Sequence, residues 1–86
     1  MAYALIVKKQ VQKKLKSLDK PTQIRLIDKL NDLGYNPDDP SLDIKKMVGE
    51  ASYRLRVGDW RIIFQREDVL KIISVNKLKP RGDVYK

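Results

Sequence analysis

Residues 53–64 alternate apolar and polar side chains about the pair Gly58-Asp59. A period of two interrupted by Gly-Asp predicts a β-hairpin with a primed two-residue turn. With that pair as the loop, Val57 faces Trp60, Arg56 faces Arg61, and Arg54 faces Ile63. Upstream, residues 2–7 are apolar and β-compatible and predict a first strand. Residues 8–18 instead set Val11, Leu15 and Leu18 at helical spacing, with lysines on the other side. A second helix is expected from Pro21, a residue suited to a first turn. Ile24, Ile27, Leu30 and Leu33 follow at steps of three, joined by Leu26, and Gly34 reads as the C′ terminator. Two helices joined by so few residues form an antiparallel hairpin.

Asn36-Pro37-Asp38-Asp39-Pro40 is a loop by composition, while residues 42–48 fit either an extended segment or a short turn. After a hairpin strand over 60–66, Glu67-Asp68 predicts a tight turn into a β-branched strand over 69–76. In that register Arg61 opposes Ser74, and Ile63 opposes Ile72. One sheet face carries Tyr53, Leu55, Val57, Trp60, Ile62, Phe64, Ile73 and Val75 and needs the helices to cover it. The other carries Arg54, Arg56, Arg61, Ser74 and Asn76, with Ile63, Leu70 and Ile72 further along. The expected fold is therefore α+β. An N-terminal strand and an antiparallel helix hairpin pack on one face of a mainly antiparallel four-stranded sheet, in a single domain over residues 1–86. A one-residue slip would swap the faces, and the hydrophobic pattern opposes that.

Charge sharpens this picture. The net charge is +8, from 19 Lys/Arg against 11 Asp/Glu, which favours a polyanionic partner such as nucleic acid, a ribosome or an acidic protein. Cysteine and histidine are both absent, so disulfides, thiolate or imidazole metal sites and the usual neutral-pH general base are excluded. No apolar run approaches the roughly 18 residues of a spanning helix, and no signal-peptide pattern opens the chain, so a soluble, cytoplasmic protein is expected. The lysines at 8, 9, 13, 14 and 16 are most simply a solvated helix face.

Candidate chemistry lies in the hairpin. Arg54, Arg56 and Arg61 share one face, with Arg56 and Arg61 directly opposite each other. Like charges facing across a strand pair are unfavourable, so a sheet has little structural reason to gather three guanidiniums there. An anion supplies the reason, and the guanidinium fork matches phosphate oxygens.

The order strand, helix hairpin, loop, three-strand meander and basic tail resembles the RelE/ParE superfamily of toxins from type II toxin–antitoxin modules. The likeness is carried by Met1-Ala2-Tyr3, residues 46–49, residues 53–61 and the closing Arg81-Gly82-Asp83-Val84-Tyr85. It implies the RelE-like microbial RNase fold and two alternative activities. RelE-like members cleave mRNA in the ribosomal A site, without metal or other cofactor, by attack of a ribose 2′-hydroxyl on the adjacent phosphate. ParE-like members keep the fold, lack the nuclease residues and poison DNA gyrase. A third reading is a degenerate toxin retained as a binding partner. In each active branch the resemblance implies a cognate antitoxin as partner, and for the nuclease also mRNA and the ribosome, at the A site on its small subunit. It implies neither a membrane nor a small-molecule cofactor.

Carried over residue by residue, the resemblance implies catalytic roles for Arg54 and Arg56, then Arg61, then a basic residue among Lys77, Lys79 and Arg81, then Tyr85. The set expected is Arg54, Arg56, Arg61, Lys79, Arg81 and Tyr85, which favours the nuclease. The chain departs from the family in two places. Lysines found on the first hairpin strand of the best-known nuclease are arginines here, and no histidine precedes the last tyrosine. Arginine cannot be deprotonated, so neither Arg54 nor Arg56 serves as general base. The arginines instead meet the need to stabilise a phosphorane. Proton transfer then falls to Tyr85, to Lys77 or Lys79, or to a carboxylate such as Glu50 or Asp83. Tyr85 could equally stack on a base or simply pack, and Trp60 reads as core.

Overall fold

The computed structural model describes residues 2–80. Elements run β1 (Ala4–Val7), α1 (Lys9–Ser17), α2 (Lys20–Tyr35), β2 (Asp43–Lys46), β3 (Tyr53–Val57), β4 (Trp60–Glu67) and β5 (Ile72–Pro80). They build one sheet in the order β1-β5-β4-β3-β2, antiparallel except for the parallel β1–β5 pair. The α+β class and the helix pair on one sheet face stand as expected. The sheet has five strands rather than four, because residues 43–46 pair with β3 as an edge strand. No helix among the described residues is long and apolar enough to cross a membrane.

The helices follow from local signals. Asp19 caps α2 by accepting a hydrogen bond from the Thr22 backbone N–H at 3.2 Å, and Pro21 sits in the first turn, where its missing donor is harmless. Val11 and Leu15 of α1 and Leu26, Leu30 and Leu33 of α2 are buried. They close over Leu55, Val57, Ile62, Phe64, Ile73, Val75 and Leu78 to form the core. Ile24 and Ile27 depart from the expected core face, being 52% and 42% exposed. The stripe that docks runs through Leu26, Leu30 and Leu33, spaced by fours and threes, and an axis aligned on them turns Ile24 and Ile27 outward.

Gly34 does not terminate α2; the helix runs through it to Tyr35. Its role is close packing, since a Cβ there would stand 3.0 Å from Leu5 Cγ of β1. The Gly34 carbonyl also accepts from the Tyr3 N–H, pinning the start of β1 to the helix end.

The β3–β4 hairpin has the expected register, with Arg54↔Ile63, Arg56↔Arg61 and Val57↔Trp60. Gly58 has φ 58° and Asp59 stays outside the left-handed region, which fits the turn class that needs glycine first. Tyr53 and Phe64, directly paired, stack with ring centroids 5.6 Å apart.

The β4–β5 register differs from expectation. The turn occupies residues 68–71 instead of Glu67-Asp68, so Glu67 pairs with Ile72, and Val69 and Leu70 lie exposed in the turn rather than in the strand. Lys71 closes it at φ 57°, and its carbonyl accepts from the Ala4 N–H at the start of β1. A bulge then intervenes: Phe64 pairs with Val75 but Ile63 with Lys77, leaving Asn76 without a partner on β4. Gln10 of α1 donates to the Asn76 carbonyl at 3.0 Å. The extra residue inverts the alternation along β5. Ile73 and Val75 face the core before it, and Leu78 after it. Ser74 therefore opposes Gln65, and the residues opposite Arg61 and Ile63 are Lys79 and Lys77.

Candidate functional site

Both rows of side chains on the open sheet face follow from this pairing. One crosses four strands as Asp43, Arg56, Arg61 and Lys79; its neighbour runs Lys45, Arg54, Ile63 and Lys77. Directly paired residues share a face, so each row is a line of side chains at strand spacing, about 4.8 Å per step. Asp43, Lys45, Arg54, Arg56 and Arg61 line a single cavity of about 140 Å³. A second depression shares Lys45 and Arg54 and opens onto Met47 and Val48, the latter 99% exposed.

Arg61 is the anomaly in this array. It is only 2% exposed, yet among the described residues its Nε has no hydrogen-bond partner. Its Nη1 makes one long bond, 3.3 Å, to the Trp60 carbonyl. A buried cation is normally paired and fully hydrogen-bonded, because the water it loses must be replaced.

Arg66, five residues on, shows what a structural arginine looks like in this protein. Its Nη1 and Nη2 donate to the two carboxylate oxygens of Asp38 at 2.9 and 3.3 Å, and its Nε donates to Asp68 at 2.8 Å. Nη2 also donates to the Tyr3 hydroxyl, which itself donates to Asp68. Hydrogen bonding from Arg66 holds the Asp38 and Asp68 carboxyls below the ordinary range, and the same bonds, Asp38 first, raise the guanidinium. This knot ties β1, the 36–40 loop and the β4–β5 turn together. Alternation along β4 already sets Arg66 apart: five residues from Arg61, it lies on the opposite face, paired with the core-facing Ile73.

Of the expected residues, Arg54, Arg56 and Arg61 meet at one cavity, and Lys79 stands opposite Arg61. Lys77 lies one row over. Arg81, Asp83 and Tyr85 lie outside the described residues. Glu50 lies elsewhere, lining a separate depression with Lys46, Met47, Val48, Gly49 and Ala51 in the β2–β3 turn. Trp60 is half-buried and packs against the core, with Lys14 Nζ 5.9 Å from a ring centroid. Two residues that sequence reading missed are Asp43 and Lys45. Their signal was Asp43-Ile44-Lys45, three residues of alternation and too short to separate from a turn.

The family profile described as ParE toxin of type II toxin–antitoxin system, parDE, matches residues 5–79. The chain belongs to the RelE/ParE superfamily of type II toxins. Solved structures of RelE–RelB complexes resemble this toxin over nearly its whole length. That of the archaeal RelE–RelB complex from Pyrococcus horikoshii shares 37% identity at TM-score 0.83, covering 95% of this chain and 98% of the other. The RelB–RelE complex from Methanococcus jannaschii shares 26% at TM-score 0.63, covering 93% and 94%. The intact Escherichia coli RelBE complex, 22% identical at TM-score 0.73 and covering 92% and 96%, shares the fold. A comparison with curated proteins gave no significant match. The RelE-like branch is the one these structures favour.

Proposed function

We propose that this toxin is a ribosome-dependent endoribonuclease that cleaves mRNA in the A site without metal and so inhibits translation in the cytoplasm. The observation that carries this reading is the row Arg56, Arg61, Lys79 flanked by Arg54, with Arg61 buried and its Nε unpartnered among the described residues. Such a row is costly to the fold and matched to a phosphate acquiring charge. Fixed guanidiniums in a partly dehydrated cavity stabilise a phosphorane without reorganising during the reaction. The exposed Val48 and half-buried Met47 beside the cavity offer a base an apolar surface. Arg81 and Tyr85 complete the proposed set from the C-terminal residues. A cognate antitoxin is proposed as its partner, by analogy with the RelE–RelB complexes it resembles, with acidic groups meeting the cationic face.

The family match itself favours a second reading, since the profile is that of ParE toxins. There the same face would dock on DNA gyrase and do no chemistry. Primer extension on an mRNA in a defined translation reaction separates the two, comparing wild type with Arg61→Ala and Tyr85→Phe. Ribosome-dependent cuts within A-site codons that fade in both folded variants support the nuclease. Intact mRNA with blocked gyrase supercoiling supports the alternative.

A further inference from the structure

The arginine row explains how a phosphorane would be stabilised and leaves the removal of the 2′-proton unassigned. Arginine and lysine carry donors only, so neither Arg54, Arg56, Arg61 nor Lys45 accepts that proton in its charged form. Among the described residues lining the cavity one side chain is an acceptor, Asp43. It is exposed on the edge strand β2, and its Cα partner is Arg56. Among the described residues the ion pairs within 4.0 Å all belong to Arg66, so the Asp43 carboxylate is not tied up by the arginines beside it. Opposite Arg56 it offsets part of the like-charge repulsion along the row, as opposite charges across a strand pair do, and it weakens the anion site by opposing its charge.

Position gives it a use. Asp43 and Lys79 end the row, with Arg56 and Arg61 between them. Three strand spacings put their backbones roughly 14 Å apart. In-line displacement sets the entering and leaving oxygens on opposite sides of phosphorus, so an acceptor at one end, a donor at the other and cations in the middle is the order it requires.

We propose that Asp43 is the proton acceptor for the attacking 2′-hydroxyl, a role that rests on the nuclease reading. The 2′-oxygen bonds to phosphorus as its proton passes to the Asp43 carboxylate. The bond from phosphorus to the 5′-oxygen breaks, and that oxygen leaves with a proton from the Lys79 ammonium. The products are a 2′,3′-cyclic phosphate and a 5′-hydroxyl, and solvent then carries a proton from Asp43 back to Lys79.

The role predicts a loss of rate with no loss of affinity. The test compares wild type, Asp43→Asn and Asp43→Glu in the full chain on programmed ribosomes. Single-turnover cleavage is measured, together with affinity for the same complex carrying a 2′-deoxynucleotide at the scissile position. Asp43→Asn should cleave on the order of 100-fold more slowly or worse, while binding the uncleavable complex as well as wild type or more tightly. Asp43→Glu should recover part of the rate. An Asn variant that cleaves within about threefold of wild type overturns the assignment, as does a rate loss matched by an equal loss of affinity. A wild type that never cleaves removes the nuclease reading and this role with it.

Discussion

Replacing Arg61 with methionine should make the protein more stable while removing its activity. Arg61 is buried with Nε unpartnered, one long hydrogen bond at Nη1, and Arg56 and Lys79 directly opposite on its two sides. Taking an ion from water costs several kcal/mol even after relaxation, and exchanging buried ionic groups for apolar ones of similar volume has stabilised proteins by about 1–4 kcal/mol. Methionine keeps an unbranched stem that can refill the space, so a gain of about 2 kcal/mol is expected here. In a domain of this size that corresponds to a rise in Tm of roughly 8–16 °C. The assay is urea unfolding of the full chain, where the midpoint should rise by about 1–2 M with the slope unchanged. Arg56→Met, at an exposed position, should stay within about 0.5 kcal/mol of wild type. Inorganic phosphate at constant ionic strength should raise the wild-type midpoint by mass action and leave Arg61→Met unmoved. A lower midpoint for Arg61→Met at unchanged slope would refute the reasoning, because the guanidinium would then be holding the fold together.

Gly58→Ala should lower stability by about 1–3 kcal/mol, since the turn holds φ at 58° and strain of that kind falls on any L side chain; a near-neutral unfolding midpoint would count against it. Asp38 has a lowered folded-state pKa because of the Arg66 hydrogen bonds. Its contribution is therefore present above the unfolded carboxylate value of about 3.9 and is lost as pH falls through the lower folded value. The difference in urea midpoint between wild type and Asp38→Asn should accordingly be open at pH 7 and shrink below about pH 4, and a gap unchanged at low pH would show that the ion pair is not its source. Arg54→Ala should weaken binding to programmed ribosomes and, for single-stranded RNA, lower the salt slope by about 0.7. An unchanged slope would mean that Arg54 does not meet a phosphate.

Much of this protein is written in short stretches of chain. Alternation around Gly58-Asp59 determined the hairpin, its register and the common face of Arg54, Arg56 and Arg61, because a period of two fixes faces without reference to anything distant. Pro21 likewise marked the first turn of α2. Tertiary structure decided the rest, where the determining contact lies far along the chain. A four-residue turn, whose Lys71 carbonyl accepts from the Ala4 N–H, and a bulge at Asn76 slid β5 along β4 and brought Lys79 opposite Arg61. Recruitment of residues 43–46 by β3 turned an ambiguous segment into the strand that carries Asp43 to the row. Gly34 looked like a helix stop until Leu5, twenty-nine residues earlier, proved to need its missing Cβ. Arg61 and Arg66 are the same residue type on the same strand. Asp38, Asp68 and Tyr3 saturate one, while burial leaves the other short of partners among the described residues, and only the folded chain could make that difference.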